Sequence, residues 1–208
     1  MEITNSTAAK IKILLCTASV LLFLFACGIS QYFIWSDLFI QEFDADVAEN
    51  VIWAQAALES GSLINPDFYY THLLPFGGQL IFISVVRQFG VTMFSLMLGM
   101  SICSALFALV TALFFLSLNW GFSRSFFSAA LILIFLSGTS KLRDIFWSHV
   151  VHYNLSLFFL LITFLFLSKI LPKKTKWKIP ALFGYELCLI LGSANDIAVI
   201  LFFSFAFW

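Results

Sequence analysis

The stretch LLPFGGQLIFISVV (residues 73–86) decides how this chain is laid out. It is apolar, but at 14 residues it falls short of the roughly 20 that a helix needs to cross about 30 Å of hydrocarbon. It contains Pro75, Gly77 and Gly78 and stops at Arg87. Suppose it crosses, with Lys10 and Lys12 on the cytoplasmic side. Lys169, Lys173, Lys174, Lys176 and Lys178 then fall outside, against the tendency of Lys and Arg to stay within. Suppose instead that it lies along, or re-enters, the outer face. Lys10, Lys12, Arg124 and the lysine cluster then share the cytoplasmic side. Only Arg87, Lys141 and Arg143 are left outside, with Asp144 next to Arg143 to offset its charge in part. The second arrangement is the expectation. It makes the spans Ile11–Trp35, Val91–Leu118, Phe126–Ser140, His152–Ser168 and Ile179–Trp208.

The composition supports a chain built for lipid. It is 62% hydrophobic and 11% charged, against about 45–50% and about 25% for a soluble domain. An integral membrane protein is expected, and no basic run among aromatics suggests nucleic-acid binding. Lys10 and Lys12 ahead of an apolar run resemble a signal peptide. The run is too long for one and lacks a small-x-small cleavage site, so it reads as an uncleaved first span. Cys16, Cys27, Cys103 and Cys188 lie in apolar segments without C-x-x-C spacing, so neither a disulfide framework nor a zinc site is implied. The last apolar run reaches Trp208 with no polar tail, which reads as the N-terminal part of a larger membrane protein.

Upstream of residue 73 lies the polar segment Asp37–His72. It carries Asp37, Glu42, Asp44, Asp46, Glu49, Glu59 and Asp67, seven of the chain's eleven acids, and no Lys or Arg. Residues 36–90 therefore read as one external acidic module inside a single transmembrane domain of residues 1–208. Within it, Val47, Val51, Ala54 and Leu58 recur at helical spacing, predicting an interfacial helix from Asp46 to Ser60. Gly61 is a natural stop, and Asn65-Pro66-Asp67 a break. The expected fold is all-α: a polytopic transmembrane helical bundle of about five spans, with an interfacial helical loop after the first.

Several polar residues stand out chemically. Asp44 and Asp46, two apart at a helix start, suit a general base or an oxygen site for Mg²⁺ or Mn²⁺. Asp46 followed by Glu49 also fits a plain capping arrangement. His149 and His152, at i and i+3, would share one face of a helix and suit a phosphate or a metal. The ordinary alternative is a pair of interface residues. Asp196 interrupts an apolar run, and an acid at mid-span costs roughly 2.5–3.5 kcal/mol, so intramembrane acids are candidates for function. The Asn5 and Asn154 sequons fall on the cytoplasmic side and within the membrane, so neither is a glycosylation site.

The run from Asp46 to Gly61, then Pro66, Tyr69-Tyr70, Pro75 and Phe89-Gly90, resembles the first external loop of GT-C membrane glycosyltransferases. Protein O-mannosyltransferases and lipid A aminoarabinose transferases belong to that group. In them an acidic residue precedes a short helix ending in Ser-Gly, followed by a Pro, an aromatic and a Pro-led interfacial segment. The likeness covers roughly residues 10–140 and is architectural. Such families often have Asp-Glu at the acidic site, whereas this chain has Asp46-Val47. The resemblance implies an inverting enzyme of the cell envelope, in the bacterial inner (plasma) membrane with a cytoplasmic N-terminus. It would move a sugar from a polyprenyl-phosphate donor to an acceptor at the outer face. Asp46, with Asp44 second, would be the catalytic base or ligand of a divalent cation. Arg87, Lys141, Arg143, His149, His152 and Tyr70 would bind substrate. The competing expectation is a non-enzymatic transporter or assembly subunit whose acidic loop binds a partner. A transporter should carry polar groups at mid-bilayer on several helices, and here Asp196 alone does so clearly.

Overall fold

The computed structural model describes residues 2–36, 45–69, 78–170 and 178–195. These residues are helical and contain no strand. Helix α1 runs Glu2–Ile34, α2 Ala45–Ser60, α3 Gly78–Phe89, α4 Met93–Ser117 and α5 Phe122–Leu136. A single turn, α6 (Ser140–Arg143), leads into two π-helical turns, π1 (Asp144–Ser148) and π2 (Val150–Asn154). Helix α7 (Leu155–Ile170) and helix α8 (Lys178–Asn195) follow.

Among the described residues two helices are long and apolar enough to cross a membrane, Thr7–Ile34 and Met93–Ser117. At 1.5 Å per residue they extend about 42 and 37 Å, beyond the roughly 30 Å of a bilayer core. Among the described residues, α5 and Ser140–Ser148 would make a third crossing if counted as one, and they are bent by 110°. The expected span Phe126–Ser140 thus covers most of α5 and runs four residues past its end. Helix α5 starts earlier, at Phe122, and stops at Leu136. Ser137 and Gly138 close it through bonds to the Leu133, Ile134 and Phe135 carbonyls. Thr139 then opens the next turn by accepting from Leu142 N at 3.2 Å. The expected span His152–Ser168 likewise begins as π turns and becomes α-helical at Leu155. Of Ile179–Trp208, the residues beyond Asn195, including Asp196, lie outside the described residues.

Polar contacts fix how the helices run. Near the end of α1, Ser30 Oγ accepts from Ser104 Oγ at 3.1 Å, Gln31 Nε2 donates to Ser101 O, and Trp35 Nε1 donates to Ser101 Oγ at 2.7 Å. The last turns of α1 therefore meet the first turns of α4, and the two are antiparallel. Helix α5 starts beside the middle of α1, with Ser123 Oγ 2.7 Å from Ser19 Oγ and Phe126 edge-on to Phe23 at 5.1 Å. Beyond its far end, Arg143 sits over the Phe33 ring at 5.2 Å, so α5 runs alongside α1 in the same direction. Helix α7 returns beside α4, where Phe164 faces Phe114 and Lys169 shares a groove with Leu113, Leu116 and Ser117. Lys10, Lys12, Arg124 and Lys169 thus share one end, and α2 with Asp46 sits at the other, as do Lys141 and Arg143.

The deciding stretch is described from Gly78 onward. Helix α3 has only 12 residues, about 18 Å. It packs as a hairpin on α4: Phe89 is edge-on to Phe94 at 5.1 Å, and the fully buried Phe82 covers Gly99. Between them, Gly90 at φ 73° supplies the left-handed turn and Thr92 caps α4 by accepting from Ser95 N.

Candidate functional site

Helix α2 forms as its pattern predicts. Val47, Val51 and Ala54 are buried, and Leu58 packs at the edge of the same core. The helix ends at Ser60, where Gly61 takes φ 67°, and Asn65 builds the next turn by accepting from Asp67 N at 2.9 Å. Asn65 also ties that turn to the helix through Nδ2 donating to Ala56 O. Asp46 stands in the first turn, its side chain 66% exposed.

The break after α5 brings a second set of residues to Asp46. His149 separates the two π turns and is itself non-helical, with φ −86° and ψ 55°. Its Nε2 lies 4.0 Å from Asp46 Oδ2, and its Nδ1 lies 3.3 Å from Asp144 Oδ1 and 3.1 Å from the Asp144 carbonyl. A carbonyl only accepts, so Nδ1 carries the proton, and in the neutral ring Nε2 presents its lone pair towards Asp46. Asp144 Oδ1 is at ion-pair distance without hydrogen-bond alignment. The imidazole is 12% exposed and sits between two carboxylates drawn from segments nearly a hundred residues apart in sequence.

The surroundings hold this loop in place. Trp147, fully buried, donates from Nε1 to Ser137 Oγ at 3.1 Å and meets Phe107 edge-on. Asn154 spans the π turns by donating from Nδ2 to Phe146 O. Arg143 donates from Nη1 to Ser137 O at 3.2 Å while its guanidinium covers Phe33. Asn50 Oδ1, Ser148 Oγ and Asn154 Oδ1 are buried without a hydrogen-bond partner among the described residues. Orphaned buried oxygens are expensive, and π insertions recur at functional sites.

The sequence candidates fare unequally. Asp46, His149, Asp144 and Arg143 lie at one end of the structure, and Lys141 is exposed on the turn beside Arg143. Arg87 is exposed on the last turn of α3, with no contact to Asp46 or His149 among the described residues. Asp44, Tyr70 and Asp196 fall outside the described residues, as does the side chain of His152. The shared-face argument for His149 and His152 does not hold, because it assumes an α-helix and this segment is π-helical with a break at His149. Asp144 was read only as a neighbour for Arg143, and its contact with His149 depends on a π turn that no residue pattern announces. Among the described residues no group of three or more His, Cys, Asp or Glu side chains is arranged to hold a metal ion. Cys16, Cys27, Cys103 and Cys188 are free thiols.

Comparison with known protein families, with curated proteins and with solved structures finds no match to this chain.

Proposed function

We propose that the chain is part of a membrane glycosyltransferase of the GT-C kind, transferring a sugar from a polyprenyl-phosphate donor to an acceptor at the non-cytoplasmic face. The observation that carries the reading is the approach of Asp46 to His149, at 4.0 Å, in the acidic module. That separation is too long for a direct hydrogen bond and wide enough for a bridging water or hydroxyl. An acceptor hydroxyl lodged there would lose its proton to the exposed Asp46 carboxylate as its oxygen attacks the anomeric carbon, general-base catalysis worth about 10²–10⁴-fold. His149 in its protonated form, with Nδ1–H on the Asp144 carbonyl, would donate from Nε2 to that hydroxyl's oxygen and so position it. Arg143 and Lys141 are the nearby cations suited to the departing phosphate.

The membrane arrangement belongs to the same reading. The base-rich end carrying Lys10, Lys12, Arg124 and Lys169 faces the cytoplasm, and α2, α3 and the π turns form the outer module. If a divalent cation takes part, Asp46 with Asp44 would hold it, where it would neutralise phosphate charge. Among the described residues no group of three such donors converges there.

The experiment is sugar transfer in membranes carrying Asp46→Asn. Transfer from polyprenyl-phosphate donors should fall at least a hundredfold while expression and helix content stay unchanged. Full transfer by Asp46→Asn refutes Asp46 as the base.

A further inference from the structure

The end of the structure opposite Asp46 carries a feature that the proposed reaction does not use. Between the last turns of α4 and α7 lies a groove of about 460 Å³, lined by Leu113, Leu116, Ile162, Leu165 and Phe166 with Ser117 and Lys169. That volume lies within the roughly 300–1,000 Å³ typical of ligand sites. Its polarity is one-sided. Ser117 closes α4 and Lys169 stands in the last turn of α7, whereas the apolar residues extend back along both helices. No acid lines the groove, and the exposed Lys169 has no partner among the described residues. Ser117 turns its hydroxyl proton onto the Phe114 carbonyl at 2.7 Å, which leaves its oxygen as an acceptor.

We infer that this groove seats one anionic phospholipid of the leaflet at the base-rich end, with its phosphate on Lys169 and an acyl chain along Leu113, Leu116, Ile162, Leu165 and Phe166. The dimensions agree. From Ile162 to Lys169 is seven residues, about 10 Å of helix, which fits within the roughly 15 Å of one leaflet's hydrocarbon. The charge agrees too, because Lys10, Lys12 and Arg124 share this end and raise the local concentration of anionic headgroups. A headgroup bearing a hydroxyl, such as phosphatidylglycerol, also has a donor for Ser117 Oγ. The inference does not depend on the transferase reading.

The test uses the full chain in nonionic detergent, titrated with phosphatidylglycerol or phosphatidylcholine and followed by native mass spectrometry. One phosphatidylglycerol should be retained in preference to phosphatidylcholine. Lys169→Gln should weaken its retention about fivefold, the loss expected for one basic residue at a membrane surface. Leu116→Trp, which fills the groove, should weaken it as well. Lys178→Gln makes the same charge change outside the groove lining and should leave retention unchanged. Equal retention of the two lipids, no change with Lys169→Gln, or equal losses with Lys169→Gln and Lys178→Gln would overturn the inference. Because Lys169 and Lys178 are exposed, their variants fold even if Leu116→Trp does not.

Discussion

Adding one methyl group at Gly99 should pry α3 off α4. A Cβ built there would lie 2.2 Å from Phe82 Cε1, 2.5 Å from Cδ1 and 2.8 Å from Cζ. Carbon contacts settle near 3.5–4.0 Å, so the ring must retreat by more than about 1 Å. The ring has little room to move, because Phe82 is fully buried in the core. Overpacking of this kind costs about 1–3 kcal/mol. Gly99→Ala should therefore lower unfolding stability by that amount, measured as loss of helix signal against denaturant in detergent. Phe82→Ala alone should cost about 3–5 kcal/mol. In that background the added methyl occupies vacated space, so the Gly99→Ala penalty should vanish, a coupling of about 1–3 kcal/mol between the two sites. A Gly99→Ala protein as stable as its parent, or two penalties that simply add, would refute the packing of α3 on α4.

Two further substitutions probe the joints that hold the site. Trp147→Phe keeps an aromatic ring but removes the donor to Ser137 Oγ and leaves a small cavity at a fully buried site, and should cost about 2 kcal/mol in the same unfolding measurement, below the roughly 3–5 kcal/mol for Trp147→Ala. Ser104→Ala removes the hydroxyl pair with Ser30, and should cost about 0.6 kcal/mol, the mean for hydrogen bonds between membrane helices. Adding Ser30→Ala to it should cost little more.

Much of the helical plan was written in the sequence, because it rests on local rules. The apolar spacing of Val47, Val51 and Ala54, the stop at Gly61 and the turn at Asn65 each depend on neighbours a few residues away, and each is seen. The long apolar runs of α1 and α4 declare themselves by length. The break at Ser137–Thr139 was also signalled, by a glycine followed by a capping threonine ahead of the polar run Ser140–Asp144, and the expected span stops there at Ser140. The π turns had no such signal. They depend on long-range fits: buried Trp147 anchored to Ser137, Asn154 reaching back to Phe146, and His149 fixed by the Asp144 carbonyl. For the same reason Asp46 was legible as a candidate, whereas its meeting with His149 was not. Spacing along a chain does not tell which distant loop will cover a helix start.

The sidedness of the two ends is the direct test of the account. In a chain whose four cysteines are replaced by serine or alanine, single cysteines at the exposed positions Ser62, Lys141, Arg124 and Lys169 can be treated with a membrane-impermeant maleimide on intact cells. Ser62→Cys and Lys141→Cys should label at once, while Arg124→Cys and Lys169→Cys should label only after permeabilisation. Labelling that puts Ser62 and Lys141 on opposite faces would contradict the shared acidic end, and with it the approach of Asp46 to His149.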